Sequence, residues 1–325
     1  MTFQEITAEL SAEIGSLNEI IAKALHSEDT PLMNEITGRY LQTKGKQIRP
    51  VMVMLCSRMF GDIDGQVLHA AASLELLHNA SLIHDDVVDE TKRRRGRDTI
   101  NAVWDNHIAV LVGDFFVSAA LAEAVRTNNL EIVKSLSALG KELSQGEIHQ
   151  ICNARDHSFL TDSYFTAIHK KTASLFMHCA LVGANAHGID YDEARPLIEY
   201  AEMLGLCFQI RDDIFDYFPS VQTGKPSGND LREGKVTLPL LLALQTAPAR
   251  EAEEMKAMLR DTEELSEEQI RTLTTFAQTH GGIEAAYQSM ADIHTRALPL
   301  LEKYPDTPAR QALHDLFGFI ISRES

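Results

Sequence analysis

The chain has 325 residues, 44% hydrophobic and 24% charged, the profile of a globular protein long enough for one large core. Its formal charge of −17 argues against nucleic acid, which needs a basic footprint. No apolar block approaches the ~18 residues of a membrane span, and the acidic residues 1–20 lack a signal-peptide pattern.

Helical periodicity runs through nearly every segment. Ile6, Leu10, Ile14, Leu17, Ile20, Ile21 and Leu25 recur at the spacing of one helix face. Pro31 opens a second helix to about Thr43, and Pro50 suits the first turn of the next, after the punctuating Gly45. From Val51 to Arg195 there is no proline, which predicts long helices separated by turns at Gly61 to Gly65, around Gly96, at Asn128-Asn129 and at Gly188. Alternating strand patterns are almost absent. Residues 217–235 read as one long glycine- and proline-bearing loop, the kind that serves as a lid or binding loop. Helices resume at Thr237, and the tail from Gly282 is helical with a break at Pro305 to Pro308. Cys56, Cys152, Cys179 and Cys207 are scattered without a C-x-x-C pair, as buried small residues of a reducing, cytoplasmic setting. The expected architecture is a single all-α domain over residues 1–325.

Two stretches break the ordinary rules of charge placement. Asp85-Asp86-Val87-Val88-Asp89 and Asp212-Asp213-Ile214-Phe215-Asp216 both read D-D-x-x-D. On a helix Asp85 and Asp89 share one stripe, as do Asp212 and Asp216, and like charges at that spacing repel. At an effective dielectric near 20, two charges about 4 Å apart oppose each other by roughly 4 kcal/mol. Such a pairing calls for cations, and Mg²⁺ prefers carboxylate oxygens while leaving positions open for phosphate. Basic residues sit near turns to match: Lys46 and Arg49, Lys92 to Arg95, Lys170 and Lys171 before Thr172, and Lys225 and Lys235 around the loop. Arginine forks suit phosphate, and lysine acts as a point charge. His78 lies seven residues before Asp85, about 20° away around the helix, and so shares its stripe. Glu75 and His78 form one Glu-x-x-His, but a di-iron bundle needs two. The glycine-rich loop is neither a P-loop nor a dinucleotide fingerprint, since it follows no strand and its spacing is wrong.

In order, Gly45-Lys46…Arg49-Pro50, His78…Asp85-Asp86…Asp89, Arg94-Arg95-Gly96, Gly113-Asp114, Gly146-Glu147…Gln150, Lys171-Thr172, Phe208-Gln209…Asp212-Asp213…Asp216, Gly224-Lys225 and Glu233-Gly234-Lys235…Thr237-Leu238-Pro239 resemble the trans (all-E) isoprenyl diphosphate synthases. The resemblance covers residues 40–240, with a weaker tail at Gly281-Gly282-Ile283-Glu284. It implies an all-α bundle of roughly ten or more long helices around a cavity. It also implies a homodimer and condensation of isopentenyl diphosphate with an allylic prenyl diphosphate.

By that resemblance Asp85, Asp89 and Asp212 are direct Mg²⁺ ligands, while Asp86, Asp213 and Asp216 orient ligands or water; Asp86 and Asp216 can also ligate. Three Mg²⁺ ions are implied with the allylic diphosphate bound. Lys46, Arg49, His78 and Arg95 would hold isopentenyl diphosphate, and Arg94, Lys171, Thr172, Gln209, Lys225 and Lys235 the allylic partner. Lys44 and Gln47 depart from the family's usual Gly-Gly-Lys-Arg, which touches only fine positioning.

Product length is read one turn upstream of Asp85, where shorter-chain members carry an aromatic. Here stand the small Ala80 and Ser81, which predict a long-chain product, hexaprenyl to decaprenyl, for quinone side chains. Phe115 and Phe116 are candidates for a tunnel floor, with plain core as the simpler reading. The rival readings are a short-chain (farnesyl or geranylgeranyl) synthase, a terpene cyclase and a non-catalytic synthase subunit. A cyclase lacks the Gly-Lys-x-x-Arg-Pro site and turns over allylic diphosphate alone. A non-catalytic subunit tends to have lost motifs, and none is lost here.

Overall fold

A computed structural model describes residues 1–42, 45–94, 96–218, 228–260 and 264–323 of the chain. Its helices are α1 (Phe3–Glu9), α2 (Ser11–Ala24), α3 (Pro31–Leu41), α4 (Ile48–Ser57), α5 (Gly65–Val88), α6 (Ile100–Val103), α7 (Asn106–Arg126), α8 (Leu130–Arg155) and α9 (Thr161–Ile168). A π-helical turn, His169–Ala173, leads into α10 (Ser174–Asn185) and α11 (Tyr191–Phe215). The remainder is α12 (Asn229–Arg232), α13 (Leu238–Thr246), α14 (Ala249–Arg260), α15 (Glu267–Thr279), α16 (Gly282–Leu301) and α17 (Pro308–Ser322). The expected all-α class holds.

The chain packs as two compact units. The first comprises Met1–Lys141, Leu175–Ala201 and Leu300–Phe319. The second comprises Glu142–Ser174, Glu202–Pro299 and Ile320–Ser325.

In the first unit α5 is packed by α2, α4 and α7. That enclosure explains its sequence, since Ala70 to Ala72, Leu74, Leu76 and Leu77 are buried around most of its circumference instead of forming one stripe. Asp64 caps its N-terminus by accepting the Val67 N–H. Gly113 of α7 makes room for the His84 ring, because a Cβ there would come 2.2 Å from its Nε2. Gly113-Asp114 therefore has a packing reason, and Asp114 also lies 3.5 Å from the His84 ring. In the second unit α13 is packed by α9, α14 and α15.

Several expectations need correction. The first helix is two, because backbone geometry at Leu10 (φ −100°) ends α1 and starts α2; no glycine or proline marks the spot. Residues 156–160 form an unforeseen break between α8 and α9, with His157 at φ 47°. The basic patch is a tight ribbon in which Arg93 pairs with Asp98 and Arg94 with Arg97, too short to show alternation. Within the expected long loop, α12 forms after Gly228, whose φ is 82°. Among the described residues α7 is long and apolar enough to cross a membrane by length and composition, although Gly113, Asp114 and Ser118 interrupt its apolar run.

Candidate functional site

Both aspartate motifs fall where helices end. Asp85 and Asp86 lie in the last turn of α5 with Asp89 at its C-cap, and Asp212 and Asp213 lie in the last turn of α11 with Asp216 just beyond. The C-terminal end of a helix carries partial negative charge, so carboxylates there are disfavoured by the helix as well as by one another. The placement gives up stability and holds acidic oxygens ready for cations.

In the second unit a chain of hydrogen bonds organises the second motif. Thr172 donates to Oε1 of Gln209 at 2.7 Å. Gln209 Nε2 donates to Oδ1 of Asp213 at 2.8 Å, and the buried Tyr164 hydroxyl donates to its Oδ2 at 2.6 Å. Burial raises the Asp213 carboxyl pKa to about 7; the Tyr164 and Gln209 bonds pull it back, while the charges of Asp212 and Asp216 raise it further. Asp230 is pushed up in the same way, by burial and then by Asp213 and Asp216. Asp216 accepts the N–H groups of Asn229 (2.9 Å) and Asp230 (3.0 Å), so it caps α12.

Lys171 and Thr172 are carried by the π-helical turn, a local widening that often marks functional sites. A Cβ at Gly146 would lie 2.6 Å from the Lys171 backbone nitrogen, so only glycine lets α8 pass this close. From α8, Glu147 pairs with the Lys171 ammonium, and Gln150 accepts from it at 2.8 Å. The Gly146-Glu147…Gln150 pattern is thus the seat of Lys171. A cavity of ≈ 690 Å³ is lined by Lys171, Thr172, Gln209, Asp213, Asp230 and Lys235. Its volume falls within the range of ligand pockets. Lys235, 13% exposed, meets Glu233 at 2.5 Å.

In the first unit Asp86 is buried, and its Oδ1 accepts from Arg94 Nε at 2.8 Å. Asn101 donates to the Asp86 carbonyl at 3.0 Å, fixing the end of α5. Asp85 and Asp89 stay partly exposed. His78 is buried on α5, and the Ser81 hydroxyl donates to its carbonyl at 2.8 Å. Ala80 is 1% exposed, and Ser81 is half-buried. Arg49 lies over the Phe176 ring at 5.5 Å, and Lys46 over Phe319 at 5.6 Å. Phe116 is core, edge-on to Tyr40 at 5.2 Å, whereas Phe115 is half-buried. Arg95 and Lys225 lie outside the described residues.

The donor set fits hard cations. Clustered carboxylate oxygens suit a divalent ion, and among the described residues no three His, Cys, Asp or Glu side chains form a complete cage. Ions held this way take further oxygens from a ligand, as Mg²⁺ does with phosphate.

The polyprenyl synthetase family model matches residues 30–276. The chain belongs to that family. As a member it is a prenyltransferase with an isoprenoid synthase fold. It is 34% identical over 98% of both chains to the all-trans-nonaprenyl-diphosphate synthase (geranyl-diphosphate specific) of Rhodobacter capsulatus. It superposes with a TM-score of 0.92, at 31% identity, on the polyprenyl synthase of Caulobacter crescentus complexed with calcium and isoprenyl diphosphate, covering 100% of this chain and 98% of that one. The geranylgeranyl pyrophosphate synthase of Bacteroides thetaiotaomicron matches with a TM-score of 0.84 at 35% identity, over 98% of both chains. The fold thus serves synthases named for different chain lengths.

Three residues of this synthase's second motif escaped the sequence reading: Tyr164, Asp230 and Arg323. Tyr164 precedes Lys171 by seven positions, nearly two helical turns, and that spacing was a usable signal. Asp230 follows the glycine-rich loop, and its closeness to Asp213 and Asp216 comes from the fold. Arg323 is more than a hundred residues from its contact, Asp212. Tyr164→Phe leaves one oxygen of a buried carboxyl without its donor, a loss of about 1–3 kcal/mol. Steady-state kinetics should show kcat reduced about tenfold or more, the usual cost of removing an outer partner that orients a metal-site carboxylate, with KM for isopentenyl diphosphate unchanged. A wild-type kcat would remove Tyr164 from the site.

Proposed function

We propose that this synthase is Mg²⁺-dependent and condenses isopentenyl diphosphate with an allylic diphosphate, head to tail, into a long-chain all-trans polyprenyl diphosphate for quinone side chains. The observation that carries the reading is the cavity in which Lys171, Thr172 and Gln209 stand beside the acidic Asp213 and Asp230, cation and anion seats for one diphosphate.

Asp85, Asp89 and Asp212 are assigned as direct metal ligands. Asp86 and Asp216 already hold Arg94 and the start of α12, which supports positioning roles for both. Asp85, Asp89 and Asp212 would hold Mg²⁺, three ions by family likeness, which would supply positive charge to offset that of the departing diphosphate. By the same likeness Lys171, Arg94, Lys225 and Lys235 stabilise that charge, and Thr172 and Gln209 orient the diphosphate. Lys46, Arg49, His78 and Arg95 hold isopentenyl diphosphate, whose double bond attacks the allylic cation. Loss of a proton to the released diphosphate then leaves a chain five carbons longer.

Long products are supported by the small Ala80 and Ser81 and by the nonaprenyl relative. The family match runs unbroken through segments of both units, which supports one catalytic domain. Leu111, Leu121 and Val125 leave α7 with an exposed apolar face, 61%, 50% and 57% accessible, which supports a homodimer. A cytoplasmic enzyme with an oily product would touch membranes transiently on release.

The test is turnover with each substrate alone and with both. Release of diphosphate is expected only when isopentenyl and allylic diphosphates are supplied together with Mg²⁺. Turnover of the allylic substrate alone would indicate a cyclase.

A further inference from the structure

Arg323, just beyond α17, reaches the second aspartate motif. Arg323, with a side chain only 7% exposed, lies with its guanidinium 4.1 Å from the Phe208 ring centroid. Its Nη2 donates to the Phe208 carbonyl at 3.1 Å and to Oδ1 of Asp212 at 2.5 Å. Its backbone carbonyl is gripped in turn by Arg211, whose Nε and Nη2 donate at 2.9 and 2.5 Å. Arg211 is itself buried, with Phe215 at 4.7 Å and Tyr287 at 5.1 Å. This is a built seat, with stacking, two clamps and a buried charge, rather than a surface arginine resting on a carboxylate.

Asp212 is the one direct metal ligand assigned to the second motif, and it is 43% exposed while its partner is buried. A guanidinium on Oδ1 neutralises the carboxylate and repels an incoming dication at the same oxygen. We infer that Arg323 is a resident counter-ion of Asp212, which a divalent ion must displace, so that the C-terminal segment sets the metal affinity of the free enzyme. The device keeps the acidic cluster compensated when no diphosphate is present and releases the tail when the site loads. Two ligands that compete for one group shift each other's apparent affinity by the same factor. The inference rests on the assignment of Asp212 as a ligand.

The experiment is Mn²⁺ binding to the full-length enzyme without substrates, followed by the paramagnetic resonance of free Mn²⁺. Arg323→Gln should tighten binding at least about fivefold, a typical coupling between linked sites. Asp212→Asn should weaken binding and abolish the effect of the arginine substitution. In the unaltered protein, hydrogen–deuterium exchange of the peptide spanning Phe317 to Arg323 should rise on Mn²⁺ addition, a readout that needs no variant to fold. If Asp212→Asn leaves affinity unchanged, the ligand assignment fails. If Asp212→Asn weakens binding but Arg323→Gln does not tighten it, or if exchange of the tail peptide does not move with Mn²⁺, the counter-ion role alone is overturned.

Discussion

Asp85→Ala is expected to lower kcat/KM for the allylic substrate by about 10³-fold, the upper range for removing one preorganised stabilising group from a reacting centre. The substitution should not harm the fold. Asp85 is partly exposed at the end of α5, where its charge opposes the helix dipole, so removing it is neutral or slightly stabilising. Thermal unfolding and steady-state kinetics together check this. Lost activity with an unchanged or raised melting temperature is the signature of an acidic residue kept for chemistry. Activity within tenfold of the unaltered enzyme would mean that the α5 motif does not carry the reaction.

Ser81→Phe and Ala80→Phe are expected to shorten the product while leaving diphosphate release active. On α5 Ser81 lies about 40° around the helix from Asp85, and Ala80 about 140°. Ser81 is half-buried and Ala80 is packed, so the two sites differ in what they tolerate. A benzyl group at Ala80 enters a filled interior, where overpacking costs about 1–3 kcal/mol. At Ser81 it can project beside the growing chain, which makes that variant the cleaner ruler. Mass analysis of extracted products checks both. Unchanged length in both folded variants would place the tunnel elsewhere.

The fold class was legible because helices write their period into the sequence, and the long proline-free stretch left room for little else. The unforeseen boundaries are those fixed by tertiary packing: Leu10 is an ordinary apolar residue, and the break at residues 156–160 carries no proline. Of the site, the motifs were readable as chemistry, and the structure supplies reasons that spacing could not. Gly146 makes room for Lys171, Gly113 makes room for His84, and Asp216 caps a helix lying within the expected loop. Arg323 carried no signal in the sequence, because it lies just beyond α17 and its partner Asp212 is more than a hundred residues away.

The membrane-length helix α7 shows the opposite error. Counting apolar blocks missed it, because Gly113, Asp114 and Ser118 interrupt the run without lowering its average much. In the fold one side of α7 packs on α5, and its other side leaves Leu111, Leu121 and Val125 exposed.

The most direct test of the central claim is the mass of the product made from isopentenyl and geranyl diphosphates with Mg²⁺. Six or more isoprene units, about thirty carbons or longer, are expected because neither Ala80 nor Ser81 puts an aromatic ring in the chain's path. A product that stops at about fifteen or twenty carbons, with its wall free of aromatic residues, would contradict the account of what these two positions do.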